Sequence, residues 1–541
     1  VEVSGTSAGL VEETWLGATV RCYAGRPLTL VEALDDAVRS HPDTVAVVSA
    51  EGTVTYRELA DLVEGTAAWL IEQGLVPGDR LALALRNSLD AIVAIWACAR
   101  GGFVFVGLPT RMQPAQWTYV LEHSTPTLVL GHEEFFDGLQ VAAREAGIPS
   151  DRVLPAGGLL LSSRTEWVGS KIAFPDQDSS YATVYTSGTT GRPKAIAMIH
   201  RASIHSALAY IRLMGLVAGD RTAITFPLYY VTGHVAQVTP MMLVGGTSYP
   251  AVDLSPAQLT RMCREDRISY LMVTPSLWPL LLRDKGFRFP ELAHVRVGAF
   301  GGSPVPLSTI SALRSAMPQL RLYDAYGLSE THSPATILLD HEFDRKPGSI
   351  GRPVPCCDVR IIDPDGNDLP AGQAGELLIK GPNITTGYVG DPAGTALAIR
   401  DGWLHTGDFC RVDDEGYVYL LDRMKDVVIR GGYKVYSVEL EYLLVSHPSI
   451  EQAAVFGIPD KLAFEAVACY LKLADGASLD ANAVRAFVQE RMADYAVPRY
   501  VRVVEEIPRN KTGKIEKPLL RQLLLDELET RSPAVPDVLP A

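Results

Sequence analysis

The stretch "YTSGTTGRPKA", Tyr185 to Ala195, sets two glycines, four small hydroxyl residues, an arginine and a lysine within eleven positions. Ser187, Gly188, Thr189, Thr190 and Gly191 offer hydroxyls and backbone N–H groups from a chain with little side-chain bulk, and Thr186 leads into them. Successive N–H groups of this kind form an anion-binding concavity, and Arg192 and Lys194 add positive charge. This is not a Walker loop, because Ala195 follows Lys194 and no hydroxyl stands beside the lysine to hold magnesium. The GxGxxG spacing of dinucleotide-binding turns is also missing. The chemistry on offer is the wrapping of a polyphosphate; the plain alternative is a polar surface turn.

Five further stretches follow in order. They are "VGAFGGSPVP" (297–306), "YDAYGLSET" (323–331), "GYVGDPAGTALAIRDGWLHTGDFCRVDDEGYVYLLDRMKD" (387–426), "GGYKVYSVELE" (431–441) and "IPRNKTGKIEK" (507–517). With the first stretch they resemble the signatures of the adenylate-forming superfamily, which holds acyl- and aryl-CoA synthetases, luciferases and adenylation domains. The resemblance covers nearly the whole chain. It implies an AMP-forming acid–thiol ligase working in two steps. A carboxylate attacks the α-phosphorus of ATP to give an acyl-adenylate and pyrophosphate, and coenzyme A then takes the acyl group and releases AMP.

The resemblance also implies roles. Thr186 to Lys194 would close over the β- and γ-phosphates. Tyr326 would stack on adenine, Ser329, where the family more often has threonine, would bond the α-phosphate, and Glu330 would hold Mg2+. Gly301, Gly302, Ser303 and Pro304 would wall the adenine site, with glycine allowing close approach of the base. Asp408 would accept both ribose hydroxyls, and Arg423 would approach the ribose and phosphate. Lys514 would bridge the substrate carboxylate and the α-phosphate, stabilising charge that builds in the transition state. Lys425 would be the hinge about which a small C-terminal domain rotates between half-reactions, and Gly431 and Gly432 would then line the pantetheine tunnel.

"FPLYYVTGH" (226–234) bears on the acid. Coenzyme A ligases often read P-L-[FY]-H here, and Tyr230 stands where that histidine is expected. Amino-acid adenylation domains carry an aspartate in this region, whereas 226–230 contain no acid, so a carboxylic acid without an α-amino group is expected. Acyl-pocket candidates are Tyr230, Val231, His234, Gly298, Ala299, Gly301 and Gly327; the small residues among them suggest room for a bulky apolar acid. Asp422 and Phe464 replace usual glycines, and Lys517 replaces a usual arginine. These departures leave three other readings beside the acyl-CoA synthetase. They are an enzyme keeping one half-reaction with a partner supplying the other, a freestanding enzyme loading a separate carrier protein, and a catalytically silent nucleotide-binding paralogue.

Elements must position these residues. "LTLVEALDDAVRSH" (28–41) has helical apolar spacing and "TVAVVSA" (44–50) reads as a strand; helix and strand then repeat at 55–74 and 79–85. Such alternation predicts an α/β fold with largely parallel sheets. Gly, Pro and Asp with short strand runs mark a compact β region at 346–381. With the resemblance, the expected plan is a large multi-subdomain N-terminal domain over 1–422, holding two parallel-rich sheets with helices and the small β region. A hinge at 423–426, a small mobile α+β domain over 427–530 and a disordered tail over 531–541 follow.

The 541 residues carry a net charge of -14, which argues against a nucleic-acid binder. The most apolar region, 81–107, contains Arg86, Asp90 and Arg100, so a buried strand and packed helix are expected rather than a membrane span. The first seventeen residues are acidic and do not read as a secretory signal. Seven scattered cysteines without a CxxC pair fit a reducing cytoplasm and no zinc site, with Cys356-Cys357 as packed thiols.

Overall fold

The computed structural model describes residues 9–110, 112, 114–156, 175–186, 193–302, 305–423, 426–430, 433–460, 463–509 and 515–530. Among them, two large sheets dominate. The six-stranded sheet runs Lys194–Ile199, Ser180–Thr186, Val104–Gly107, Arg80–Ala84, Leu128–Gly131, Val153–Pro155, and is parallel except for its first pair. The nine-stranded sheet has Arg221–Ile224, Tyr270–Met272, Val297–Gly301 and Arg321–Tyr326 as its parallel centre.

Local chemistry explains the helices that cover them. Thr55 and Glu58 form a reciprocal capping box at the start of helix Tyr56–Glu72. Ser88 caps helix Leu89–Gly101, and Gly102 ends it at φ 69 in the left-handed region that glycine adopts without a Cβ penalty. That helix is buried along nearly its whole length, which is why 81–107 reads as so apolar. One buried cluster takes residues from both sheets, such as Leu83, Val184, Ile224 and Val297, and from helices Leu30–Ser40, Tyr56–Glu72 and His200–Met214.

A five-stranded antiparallel sheet follows, built from Asp358–Ile362, Ala374–Lys380, Trp403–Val412, Ile399–Arg400 and Val418–Arg423. The last sheet holds Tyr433–Val435, Val428–Arg430, Phe464–Leu473, Ile450–Asp460 and Tyr500–Val503. Leu440, Leu444, Val484 and Val488 from two helices belong to one of its flanking clusters, and Leu520 and Leu524 from helix Lys517–Thr530 to the other. The plan is a large α/β N-terminal part with a β region, then a smaller α+β part.

Two features depart from the sequence reading. Arg352–Pro353, inside the expected β region, pairs instead with Thr336–Leu338 at the edge of the nine-stranded sheet. Leu10–Trp15 and Ala18–Tyr23 form a hairpin whose turn residues, Leu16 and Gly17, both have positive φ, 50 and 78. Leucine is an unusual residue for the first of these positions, so no turn signal announced it. All seven cysteines are buried and unpaired, and burial pushes the Cys356 thiol up to about 12.

Candidate active site

Thr186 ends strand Ser180–Thr186 and sits opposite Lys194, the first residue of the antiparallel partner strand. Ser187, Gly188, Thr189, Thr190 and Gly191 lie outside the described residues, as do Ser303, Pro304, Lys425, Gly431, Gly432 and Lys514. Lys194 Nζ lies 4.4 Å from the Tyr388 ring centre and donates to Tyr388 Oη at 3.5 Å. Tyr388 Oη in turn donates to Glu330 Oε1 at 2.9 Å. The Tyr388 hydroxyl therefore links the lysine that closes the first motif to the carboxylate of "YGLSE". Burial, then the Glu330 charge, raise the Tyr388 pKa, so it stays a donor.

The backbone fixes this relation. Val389 N–H donates to the Ala195 carbonyl, Ala197 N–H to Gly387, and Thr385 N–H to Glu330. Ser329 and Glu330 sit on the short 3-10 turn Ser329–Thr331, just beyond the strand that ends at Tyr326. Sequence reasoning gave Tyr388 no role. It stands in "GYVGDP", whose tyrosine has neither charge nor unusual spacing to mark it.

A second group forms around Asp408, which is 1% exposed. Tyr326 Oη donates to Asp408 Oδ2 at 2.5 Å, and Arg423 Nε stands 3.1 Å from Oδ1. Asp408 and Arg423 are direct partners across adjacent antiparallel strands. Burial and then Asp408 push the Tyr326 pKa well up. Burial works against the Arg423 charge, but Asp408 and Tyr326 outweigh it and its pKa is raised. Hydrogen bonds to an ionised carboxylate are about twice as strong as neutral ones, so Asp408 is held firmly in place. Tyr326 thus turns its hydroxyl to the carboxylate expected to bind ribose.

Gly301 ends its strand beside Ala325, and a Cβ there would lie 2.2 Å from the Ala325 carbonyl oxygen. Only glycine lets the two strands approach so closely. Gly302 follows at φ 82. A Cβ on Gly327 would meet Ser333, Thr331 and Pro334 at 3.1–3.3 Å, so this residue packs under the turn after Glu330.

The acyl-pocket candidates divide between two faces. Ala299 and Val231 share a buried cluster with Tyr229, and Tyr230 packs against it with its ring 4.7 Å from that of Tyr229. Gly298 points the other way: a Cβ there would meet Trp278, Leu320 and Leu322 at 3.0–3.1 Å. Strand alternation puts it in the second core, away from Tyr229–Val231. His234 lies on the π-helical turn Thr232–Val238, fully buried, and burial lowers its pKa to about 4.

Among the described residues no group of three His, Cys, Asp or Glu side chains could hold a metal by itself. Glu330 is a single oxygen donor fixed by Tyr388. That fits Mg2+, which is commonly bound through one or two carboxylates together with substrate phosphates.

Residues 34–389 match the AMP-binding enzyme family, and residues 439–514 match the AMP-binding enzyme C-terminal domain. The chain is 31% identical over 491 residues to a feruloyl-CoA synthase of Amycolatopsis sp, covering 90% of this chain and 96% of that protein. It resembles the crystal structure of ATP-bound MatB from Rhodopseudomonas palustris with a TM-score of 0.83 at 27% identity, over 92% of this chain and 99% of that one. It likewise resembles o-succinylbenzoate CoA synthetase from Bacillus subtilis in complex with its acyl-adenylate intermediate, with a TM-score of 0.79 at 27% identity, over 91% and 97% of the two chains. Fold, ordered motifs and matched domains agree: the chain belongs to the AMP-binding enzyme family, the adenylate-forming enzymes.

Proposed function

We propose that the protein is an acyl-CoA synthetase that activates a carboxylic acid lacking an α-amino group. The observation that carries this reading is the convergence of Lys194, Tyr388 and Glu330 in one hydrogen-bonded line beside Ser329. The buried Asp408, with Tyr326 and Arg423, supplies the second half of a nucleotide cradle. An ionised carboxylate has about four acceptor sites, so Asp408 can be held by the protein and still receive ribose hydroxyls.

In the first half-reaction an oxygen of the substrate carboxylate bonds to the α-phosphorus of ATP, and the bond to pyrophosphate breaks. Thr186, the loop after it and Lys194 hold the departing phosphates, and Ser329 bonds the α-phosphate. Mg2+, held by Glu330 with the phosphates, would supply neutralisation of phosphate charge. Lys514 would bridge the substrate carboxylate and the α-phosphate, stabilising charge that builds in the transition state. In the second half-reaction the sulfur of coenzyme A bonds to the acyl carbon, AMP leaves, and the thiol proton passes to solvent. Between the two, the small domain turns about Lys425, bringing Gly431 and Gly432 to the thiol path. Seven unpaired thiols support a reducing, cytoplasmic setting.

The test separates the half-reactions. Acid-dependent pyrophosphate exchange reports adenylation, and mass spectrometry of the thioester reports transfer, with coenzyme A or a carrier protein as acceptor. Lys514→Ala should lower exchange by two to three decades, the effect of removing one transition-state donor worth about 2.7–4 kcal/mol. Transfer from a supplied acyl-adenylate should persist. Undiminished exchange in the variant would remove Lys514 from the chemistry, and a wild type without exchange that still transfers would leave only the second half-reaction.

A further inference from the structure

His234 keeps a lone pair inside the protein with no partner among the described residues. Its ring is 2% exposed. Nδ1 lies 3.1 Å from the Leu228 carbonyl oxygen. A carbonyl only accepts, so Nδ1 bears the proton and Nε2 bears the lone pair. Nε2 is buried and has no hydrogen-bond partner among the described residues. Burial keeps the ring neutral at physiological pH against the pull of the Leu228 and Tyr230 backbone.

Two of its neighbours are Tyr181 and His332. Tyr181 meets the His234 ring edge-on at 5.9 Å, but its hydroxyl pairs with Ser203 at 2.8 Å. His332, whose charge is coupled to His234, accepts from the Ile199 N–H at its Nε2 at 3.0 Å, so its Nδ1 bears the proton and is likewise buried with no partner among the described residues. Leaving a buried acceptor without a partner costs its lost solvation. An apolar side chain would avoid that cost, and the cluster around the site, with Val231, Val235 and Ala236, is apolar. The whole segment Thr232–Val238 is also π-helical, a rare form that is frequent at functional sites.

We infer that the acid this enzyme activates carries an uncharged hydrogen-bond donor on its body, a hydroxyl or an N–H, that meets His234 Nε2. The inference rests on the reading of 226–234 as acyl-pocket wall and sharpens it: the substrate is polar at both ends rather than a bare apolar acid. Tyr230, in the same segment, would cover the apolar stretch between them. Buried water, or the His332 Nδ1–H, donating to Nε2 is the competing occupant.

The test uses the full-length enzyme and acid-dependent pyrophosphate exchange. The probes are aryl-acetic and aryl-propenoic acids hydroxylated at each ring position and hydroxyalkanoic acids of increasing length. Each is paired with its hydroxyl-free parent and its methyl ether. For the best hydroxy acid, kcat/KM should exceed that of parent and ether by orders of magnitude, toward the roughly 10⁴-fold reached by sites built around a substrate hydroxyl. His234→Phe should bring that ratio close to one. Should that variant fail to fold, His234→Gln, which keeps an acceptor, should hold part of the ratio while His234→Leu loses it. Equal use of hydroxy acids and parents by wild type would mean that Nε2 is met by water or by His332 and not by the acid, and would overturn this inference while leaving the ligase reading intact. A ratio that survives His234→Phe would also overturn it. Exchange with no acid at all would bring down the ligase reading and this inference together.

Discussion

Tyr388 shows how one neutral hydroxyl can tie two charged motifs together. It accepts from Lys194 and donates to Glu330. Tyr388→Phe keeps the ring beneath the lysine and removes the link to the carboxylate. Residues that orient a metal-holding group are worth about 10–100-fold in metal affinity or activity. The Mg2+ concentration for half-maximal pyrophosphate exchange should therefore rise by about that factor in Tyr388→Phe, with the KM for the acid unchanged. A magnesium titration that overlays the wild type would reduce Tyr388 to packing. Glu330 and Asp408 could be picked from the sequence because the stretches that hold them resemble motifs of the adenylate-forming superfamily. Tyr388 could not, since its importance comes from two partners 194 and 58 positions away.

At the scale of elements, the parallel pair Val297–Gly301 and Arg321–Tyr326 delivers both the glycine turn and the "YGLSE" motif from adjacent strand ends. The second strand also buries Asp324. Burial pushes its carboxyl from 3.8 up to about 8. A carboxyl raised in the fold favours the protonated form there. Its contribution to stability is fully present below the unfolded pKa and is lost as pH rises through about 8. The melting temperature of the wild type should accordingly fall between about pH 4 and 8, and Asp324→Asn, which cannot ionise, should show a smaller fall. Calorimetry at closely spaced pH values checks this, and parallel curves would mean that Asp324 ionises in the fold as it does in the unfolded chain. Strand alternation acts at this scale too. It separates Gly298 from Ala299, so a run of small residues that reads as one pocket wall is split between two cores.

Across the whole molecule, the smaller part rests on the larger through polar contacts next to residues 424–425. Asp422, 1% exposed, accepts from Ser437 N–H at 2.5 Å and from Ser437 Oγ at 2.9 Å. The Phe409 and Tyr436 rings stack 5.1 Å apart across the two parts, and within the smaller part Lys517 holds Ser437 at 2.7 Å and Glu441 at 2.8 Å. Lys425→Pro would fix φ at about −65° at the proposed pivot. Thioester formation should then fall far more than acyl-adenylate formation, measured separately by mass spectrometry and pyrophosphate exchange. Equal losses would place the pivot elsewhere or show damage to the fold.

The order of the motifs, the alternation of helix and strand and the absence of an acid from 226–230 were legible in the chain itself. Motif composition and apolar period are properties of ten or twenty consecutive residues, and caps such as Thr55 with Glu58 act over three. What the tertiary structure alone decided is who meets whom. Asp408 receives Tyr326 from 82 positions away, Tyr388 lies along the strand that begins at Lys194, and Asp422 crosses to Ser437. The unpartnered nitrogen of His234 belongs to the same class. Sequence showed only a histidine near a tyrosine, and its meaning depends on which side of the ring the Leu228 carbonyl occupies and on a surround in which the other side has no partner among the described residues. Local patterns choose the elements because their hydrogen bonds close within the segment. Partnerships between side chains depend on sheet order and strand register, which the chain sets only when distant segments pack together.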